Sequence, residues 1–125
     1  MNPATAIRPP AVAGMFYPGD PAGLRDELLT CLAVPPAPTF PDAGLLKSLI
    51  VPHAGYVYSG GTAGHAYARL APLAGRIRRV VLLGPCHRIS VRGLAAPTVK
   101  AFTTPLGSIP LDRAALDALA DLPQV

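Results

Sequence analysis

The sequence predicts an α/β fold, a mixed sheet with parallel core strands flanked by helices. Two apolar runs of strand length, Leu45–Val51 and Arg79–Leu83, enclose a stretch of helical period, and a second helical pattern precedes them. A strand–helix–strand unit takes about 30 residues or slightly more, and its connection is right-handed with the two strands parallel. The 125 residues suit one domain. Half of them are hydrophobic and only 14% are charged, the reverse of a disordered chain.

The elements follow in order. Arg8 to Asp20 is irregular, broken by Gly14, Pro18 and Gly19. Asp20 offers an N-cap with Pro21 at the first helical position. Leu24, Leu28, Cys31 and Leu32 then recur at i, i+4, i+7 and i+8, so 21–33 reads as a one-faced helix with Cys31 as a small buried hydrophobe. The proline-rich stretch Val34–Pro41 reads as a stiff linker.

Leu45–Val51, ended by Pro52, is the first buried strand. Ser59 is placed to cap a helix from Gly60 to Ala71, with Ala63, Ala66, Tyr67 and Leu70 inward and Pro72 and Gly75 closing it. Arg79–Leu83 is the second strand, ended by Gly84-Pro85. Val91–Ala96 and Val99–Phe102 read as short antiparallel strands, with Ile109–Leu111 a third. Asp112 caps a last helix through Leu122, carried by Ala115, Leu116 and Leu119.

The net charge of +4 draws on Arg76, Arg78 and Arg79, with Arg88 and Arg92 further on. Without a nucleic-acid-binding signature, the cluster reads as a solvated loop or as cations at a helix C-terminus. Nucleic acid is not an expected partner. No apolar run reaches the ~20 residues that span a bilayer, so no membrane is expected either. Two cysteines, one on a helix and one in a loop, make a disulfide framework improbable. A reduced, cytoplasmic setting follows.

Both predicted parallel strands end in a proline and then a histidine: Val51-Pro52-His53 and Gly84-Pro85-Cys86-His87. Open α/β sheets place ligand sites beyond the carboxyl ends of their strands. Adjacent strands are about 4.8 Å apart, so two imidazoles there could reach one ion at roughly 2.1 Å each. The same residues could equally be ordinary capping histidines. A catalytic ion usually takes three protein ligands. Candidates for the third are Cys86, His65, Asp20, Asp42 and Asp112, although His65 falls off the inward stripe of its helix. The segment Tyr56–Gly64 is a small-residue loop whose N–H groups could hold an anion, or whose glycines merely permit close packing. Tyr56 and Tyr58 are candidate general acids or hydrogen-bond donors, with plain packing as the alternative for each.

Four segments occur in an order seen elsewhere: Ala13-Gly14-Met15-Phe16-Tyr17-Pro18, Pro52-His53-Ala54-Gly55-Tyr56-Val57-Tyr58-Ser59-Gly60, Gly84-Pro85-Cys86-His87 and Thr104-Pro105-Leu106-Gly107. In these the chain resembles the Memo family, whose bacterial members are called AmmeMemoRadiSam system protein B. The resemblance implies an α/β fold akin to the class III extradiol dioxygenases, enzymes that use non-haem iron. It implies His53 and His87 at a divalent metal, iron first, with copper or zinc as alternatives. It also implies an AMMECR-type domain and a radical-SAM protein as partners. Cys86 departs from the serine common at that place; its thiol could add a soft ligand, favour copper, or change nothing.

Family members run to roughly twice this length, in keeping with ordinary domain sizes. The resemblance therefore implies that residues 1–125 are the N-terminal part of one Memo-type domain, an incomplete fold whose further ligand comes from a later half or a complementing chain. The expected function is an accessory or binding component built around the metal site, inactive as a fragment alone. A non-haem iron-dependent dioxygenase-like oxidoreductase and a metal-assisted hydrolase are the alternatives.

Overall fold

The structure, a computed structural model, describes residues 6–34 and 46–124. Most of the expected Val34–Pro41 linker, and Asp42 with it, lies outside the described residues. The chain divides into two compact units, Ala11–Val80 and the pairing of Met1–Pro10 with Val81–Val125. Each is taken by itself.

In the Ala11–Val80 unit, helix α1 spans Pro21–Leu32. Asp20 caps it as expected, its Oδ1 accepting the Gly23 N–H at 2.7 Å. Leu24 is buried, and Leu28 and Cys31 are half-buried on the same face, while Leu32 at its edge is exposed. Helix α2 spans Tyr56–Tyr67 and continues into a 3₁₀ segment, Ala68–Leu73.

The expected start at Gly60 is therefore four residues late. Ser59 is no cap; its buried hydroxyl donates back to the carbonyl of Ala54 at 3.0 Å. The expected inward stripe is also displaced. Ser59, Gly60 and Gly64 are the buried residues of α2, whereas Ala63, Ala66 and Leu70 are half-buried and Tyr67 is exposed. Small residues let the backbones of α1 and α2 approach. A Cβ on Gly60 would meet the Cys31 Sγ at 2.8 Å, and one on Gly64 would fall onto the Cys31 carbonyl.

The second unit holds a three-stranded mixed sheet in the order β1-β2-β3: Ile7–Arg8, Ala101–Thr104 and Gly107–Pro110. β1 runs parallel to β2, with Ile7 opposite Ala101. β2 and β3 form an antiparallel hairpin in which Thr104 faces Gly107. Gly107, at φ +138°, takes a conformation closed to other residues. The Thr104 hydroxyl accepts the Leu106 N–H across the turn at 3.1 Å. Ala101 is buried, and the Arg8 guanidinium lies 5.5 Å from the centre of the Phe102 ring.

Helix α3, Arg113–Asp117, is capped by Asp112, whose Oδ1 accepts the Ala115 N–H at 3.0 Å. It stops well short of Leu122. Val91–Ala96 forms no strand, and the hairpin is shifted toward the C-terminus of its expected place.

The α/β class and the mixed sheet hold, but the parallel pairing is not between the expected strands. Neither 46–51 nor 79–83 belongs to a ladder among the described residues. Ile50 is 99% exposed, and Val81 and Leu82 are 80% and 81% exposed. A strand satisfies its N–H and C=O groups only through a neighbour, so an apolar run without one forms no strand, whatever its composition. Among the described residues, no helix is long and apolar enough to cross a membrane.

Candidate functional site

The loop that carries His53 is built on the Ala13–Pro18 turn. That turn is held by Gly14, at φ +77°, whose N–H donates to the Tyr17 carbonyl at 2.8 Å. The N–H of Tyr56, the first residue of α2, donates to the Phe16 carbonyl at 2.8 Å. Gly55 precedes it as a buried N-cap with no side-chain cap, and a Cβ there would lie 3.4 Å from the same carbonyl. Phe16 thus supplies the cap acceptor that the sequence assigned to Ser59. His53 stands two residues before Gly55 and is exposed.

The two tyrosines of the motif part company. Tyr56 is half-buried, its ring centre 5.6 Å from that of Tyr17 at an interplanar angle of 44°. Burial first, then the neighbouring Tyr17, Cys31, Glu27 and Tyr67, raises its phenol above the ordinary 10.0. The hydroxyl, protonated at neutral pH like that of an ordinary tyrosine, can donate a hydrogen bond. Tyr58 is 85% exposed, because residues two apart on a helix point to different sides. Tyr56 is held by its surroundings; Tyr58 is not.

The candidates for a third ligand sort themselves by the contacts they make. Asp20 and Asp112 are helix caps. His65 is exposed on α2, as its place off the stripe predicted. The notion of an anion-binding loop at Tyr56–Gly64 fails, since this segment is helical throughout and Gly60 and Gly64 serve close packing against Cys31.

His87 belongs to the other unit, in a bend that follows Gly84-Pro85-Cys86, and is exposed like its neighbours. Cys86, rather than His87, joins Leu83, Ile89 and Leu94 along a shallow groove. Among the described residues, no three of His, Cys, Asp and Glu gather into one group. Sequence reasoning missed the part played by Phe16 and Tyr17. The signal was present, as a turn containing glycine and two aromatic residues, but only the fold shows what that turn supports.

Comparison with known proteins bears on the same segments. The family model for Memo-like proteins matches residues 8–125. A MEMO1 family protein of Methanopyrus kandleri is 41% identical over 110 residues, covering 84% of this chain and 38% of that protein. One from Methanothermobacter thermautotrophicus is 39% identical over 117 residues, covering 90% of this chain and 42% of its own length. A memo-1 homolog of Caenorhabditis elegans is 40% identical over 72 residues, 58% of this chain and 20% of that protein. The chain thus spans about two fifths of the length of the archaeal relatives it matches.

Proposed function

The chain belongs to the Memo-like protein family, and from that premise we propose that it is a metal-holding accessory component of an AmmeMemoRadiSam-type system. His53 and His87 are the ligands it contributes. The observation that carries this reading is that both imidazoles are exposed, each just past a proline that follows an apolar run without a ladder of its own. Neutral imidazole suits iron, zinc and copper alike, and iron is the first choice. The exposed Cys86 thiol beside His87 fits the softer of these ions in kind.

A site with an open position takes three protein ligands, so at least one comes from beyond this pair. In this reading the chain is the N-terminal part of a single Memo-type domain, whose dioxygenase-like α/β architecture is completed by further polypeptide. Its working partners are an AMMECR-type domain and a radical-SAM protein in the cytoplasm. A bound divalent ion would supply Lewis acidity toward an oxygen-bearing ligand. Tyr56, protonated at neutral pH as any tyrosine is and half-buried beside Tyr17, would donate a hydrogen bond to such a ligand.

A second reading is a non-haem iron-dependent dioxygenase-like oxidoreductase, in which the half-buried Tyr56 beside Tyr17 would be the hydrogen-bond donor. Nothing among the described residues favours a metal-assisted hydrolase over these two. The test is the metal content of the purified protein beside its His53→Ala and His87→Ala variants. Each variant should lose most of the metal that the parent holds; unchanged content in both removes the site. Oxygen uptake with catechols by iron-loaded protein, absent in the accessory reading, would install the second one if His53→Ala abolished it.

A further inference from the structure

Among the described residues, Ser59 is the one polar residue that is buried, at 6% exposure. Alanine would fill the same place in α2 with better helix propensity and no polar atom to satisfy. A serine or threonine within a helix ordinarily bonds back to the carbonyl four residues before it. Thr30 of α1 does so, its hydroxyl donating to the Asp26 carbonyl at 3.0 Å. The Ser59 hydroxyl makes its shorter contact one residue further back, 3.0 Å to the Ala54 carbonyl against 3.4 Å to that of Gly55. Ala54 lies outside α2, in the loop that carries His53.

That loop is also held from its other side. A Cβ on Gly55 would stand 3.4 Å from the Phe16 carbonyl and 3.5 Å from the Phe16 Cα, so Gly55 rests on the Phe16 backbone. Its own carbonyl accepts the Tyr58 and Ser59 N–H groups at 2.9 and 3.1 Å. The peptide plane between Ala54 and Gly55 is therefore gripped at its carbonyl by Ser59 and at its far end by Phe16 and the first turn of α2. Because each peptide unit is planar, only the φ and ψ rotations of Ala54 separate that plane from the His53 Cα.

We infer that Ser59 is a positioning residue for His53. Its buried hydroxyl, acting through the Ala54 carbonyl, fixes the direction in which the imidazole leaves the chain. Metal ligands are aimed by outer contacts of this kind, and losing one commonly costs about ten-fold or more in affinity. The inference rests on the reading of His53 as a metal ligand, and adds to it the group that sets the ligand's aim.

The test compares Ser59→Ala with Thr30→Ala, which removes a hydroxyl that makes the ordinary helical bond. Both variants should keep the circular dichroism of the parent. With zinc(II) as the probe, Ser59→Ala should raise the dissociation constant about ten-fold, and Thr30→Ala should leave it at the parent value. In the metal-free protein, amide relaxation by NMR should find residues 53–55 as ordered as α2 in the parent and looser in Ser59→Ala. Equal zinc affinity in the parent and in His53→Ala removes the metal reading, and the relaxation of 53–55 then decides whether Ser59 positions His53. Three results would overturn the proposal: residues 53–55 equally mobile with and without the Ser59 hydroxyl, parent-like zinc affinity in Ser59→Ala where His53→Ala loses it, or an equal loss in Thr30→Ala.

Discussion

The helix pair α1–α2 and the apolar runs at 46–51 and 80–83 have opposite outcomes, although the run at 80–83 is the more apolar in composition. The helices bury Leu24, Ser59, Gly60 and Gly64, and the two glycines lie against Cys31 of α1. The runs leave Ile50 and Val80–Leu83 in water. The difference is where each element finds its hydrogen bonds. A helix closes its own from i to i−4 and then needs one packing surface. A strand must borrow a neighbour's backbone before its side chains can be buried. Apolar character thus proposes an element, and the availability of a partner decides whether it forms.

The sharpest way to break the helical side of this comparison is Gly64→Ala. Its methyl would fall onto the Cys31 carbonyl, a backbone atom that cannot turn aside. Alanine gains about 1 kcal/mol in helix propensity over glycine, but forcing the helices apart should cost about 3 kcal/mol, at the upper end of overpacking. Urea unfolding followed at 222 nm should show a clear net loss; a gain would mean that the helices are not in contact there.

A smaller effect is expected at the cap. Asp20→Ala removes the acceptor for the Gly23 N–H and should cost about 1 kcal/mol by the same measurement. No loss would mean that α1 owes its start to Pro21 alone.

The smallest effect concerns Tyr56. Burial raises its phenol above 10.0, so the folded chain holds this proton more tightly than the unfolded chain does. The resulting stability is complete below the unfolded value and is lost as pH rises through the folded one. The urea midpoint should therefore fall as pH rises past about 10, and Tyr56→Phe should flatten that fall. An unchanged slope would place the alkaline loss on another group.

What the sequence made legible follows the same division. Asp20-Pro21 and Asp112 were read correctly as helix starts, because a cap is a contact within four residues. The start of α2 was misread because its acceptor is the Phe16 carbonyl, forty residues away in sequence and without side-chain identity. The glycines of α2 were read as loop-formers or packing residues, and only the position of Cys31 decides for packing. The two strands were misplaced because apolar composition does not supply a ladder, and neither run has one among the described residues. At the candidate site, His65 is exposed as its place off the inward stripe predicted, and the division between Tyr56 and Tyr58 needed helix phase as well as spacing.

The parallel pairing of Ile7 with Ala101 has a kinetic consequence. The hairpin β2–β3 joins residues a few positions apart and can zip within microseconds of collapse. Attaching β1 requires closing a loop that contains the whole helical unit, and that entropy must be met before a two-residue ladder returns anything. The first strand in the chain should therefore be the last to dock and the first to fray, leaving the edge of β2 intermittently open.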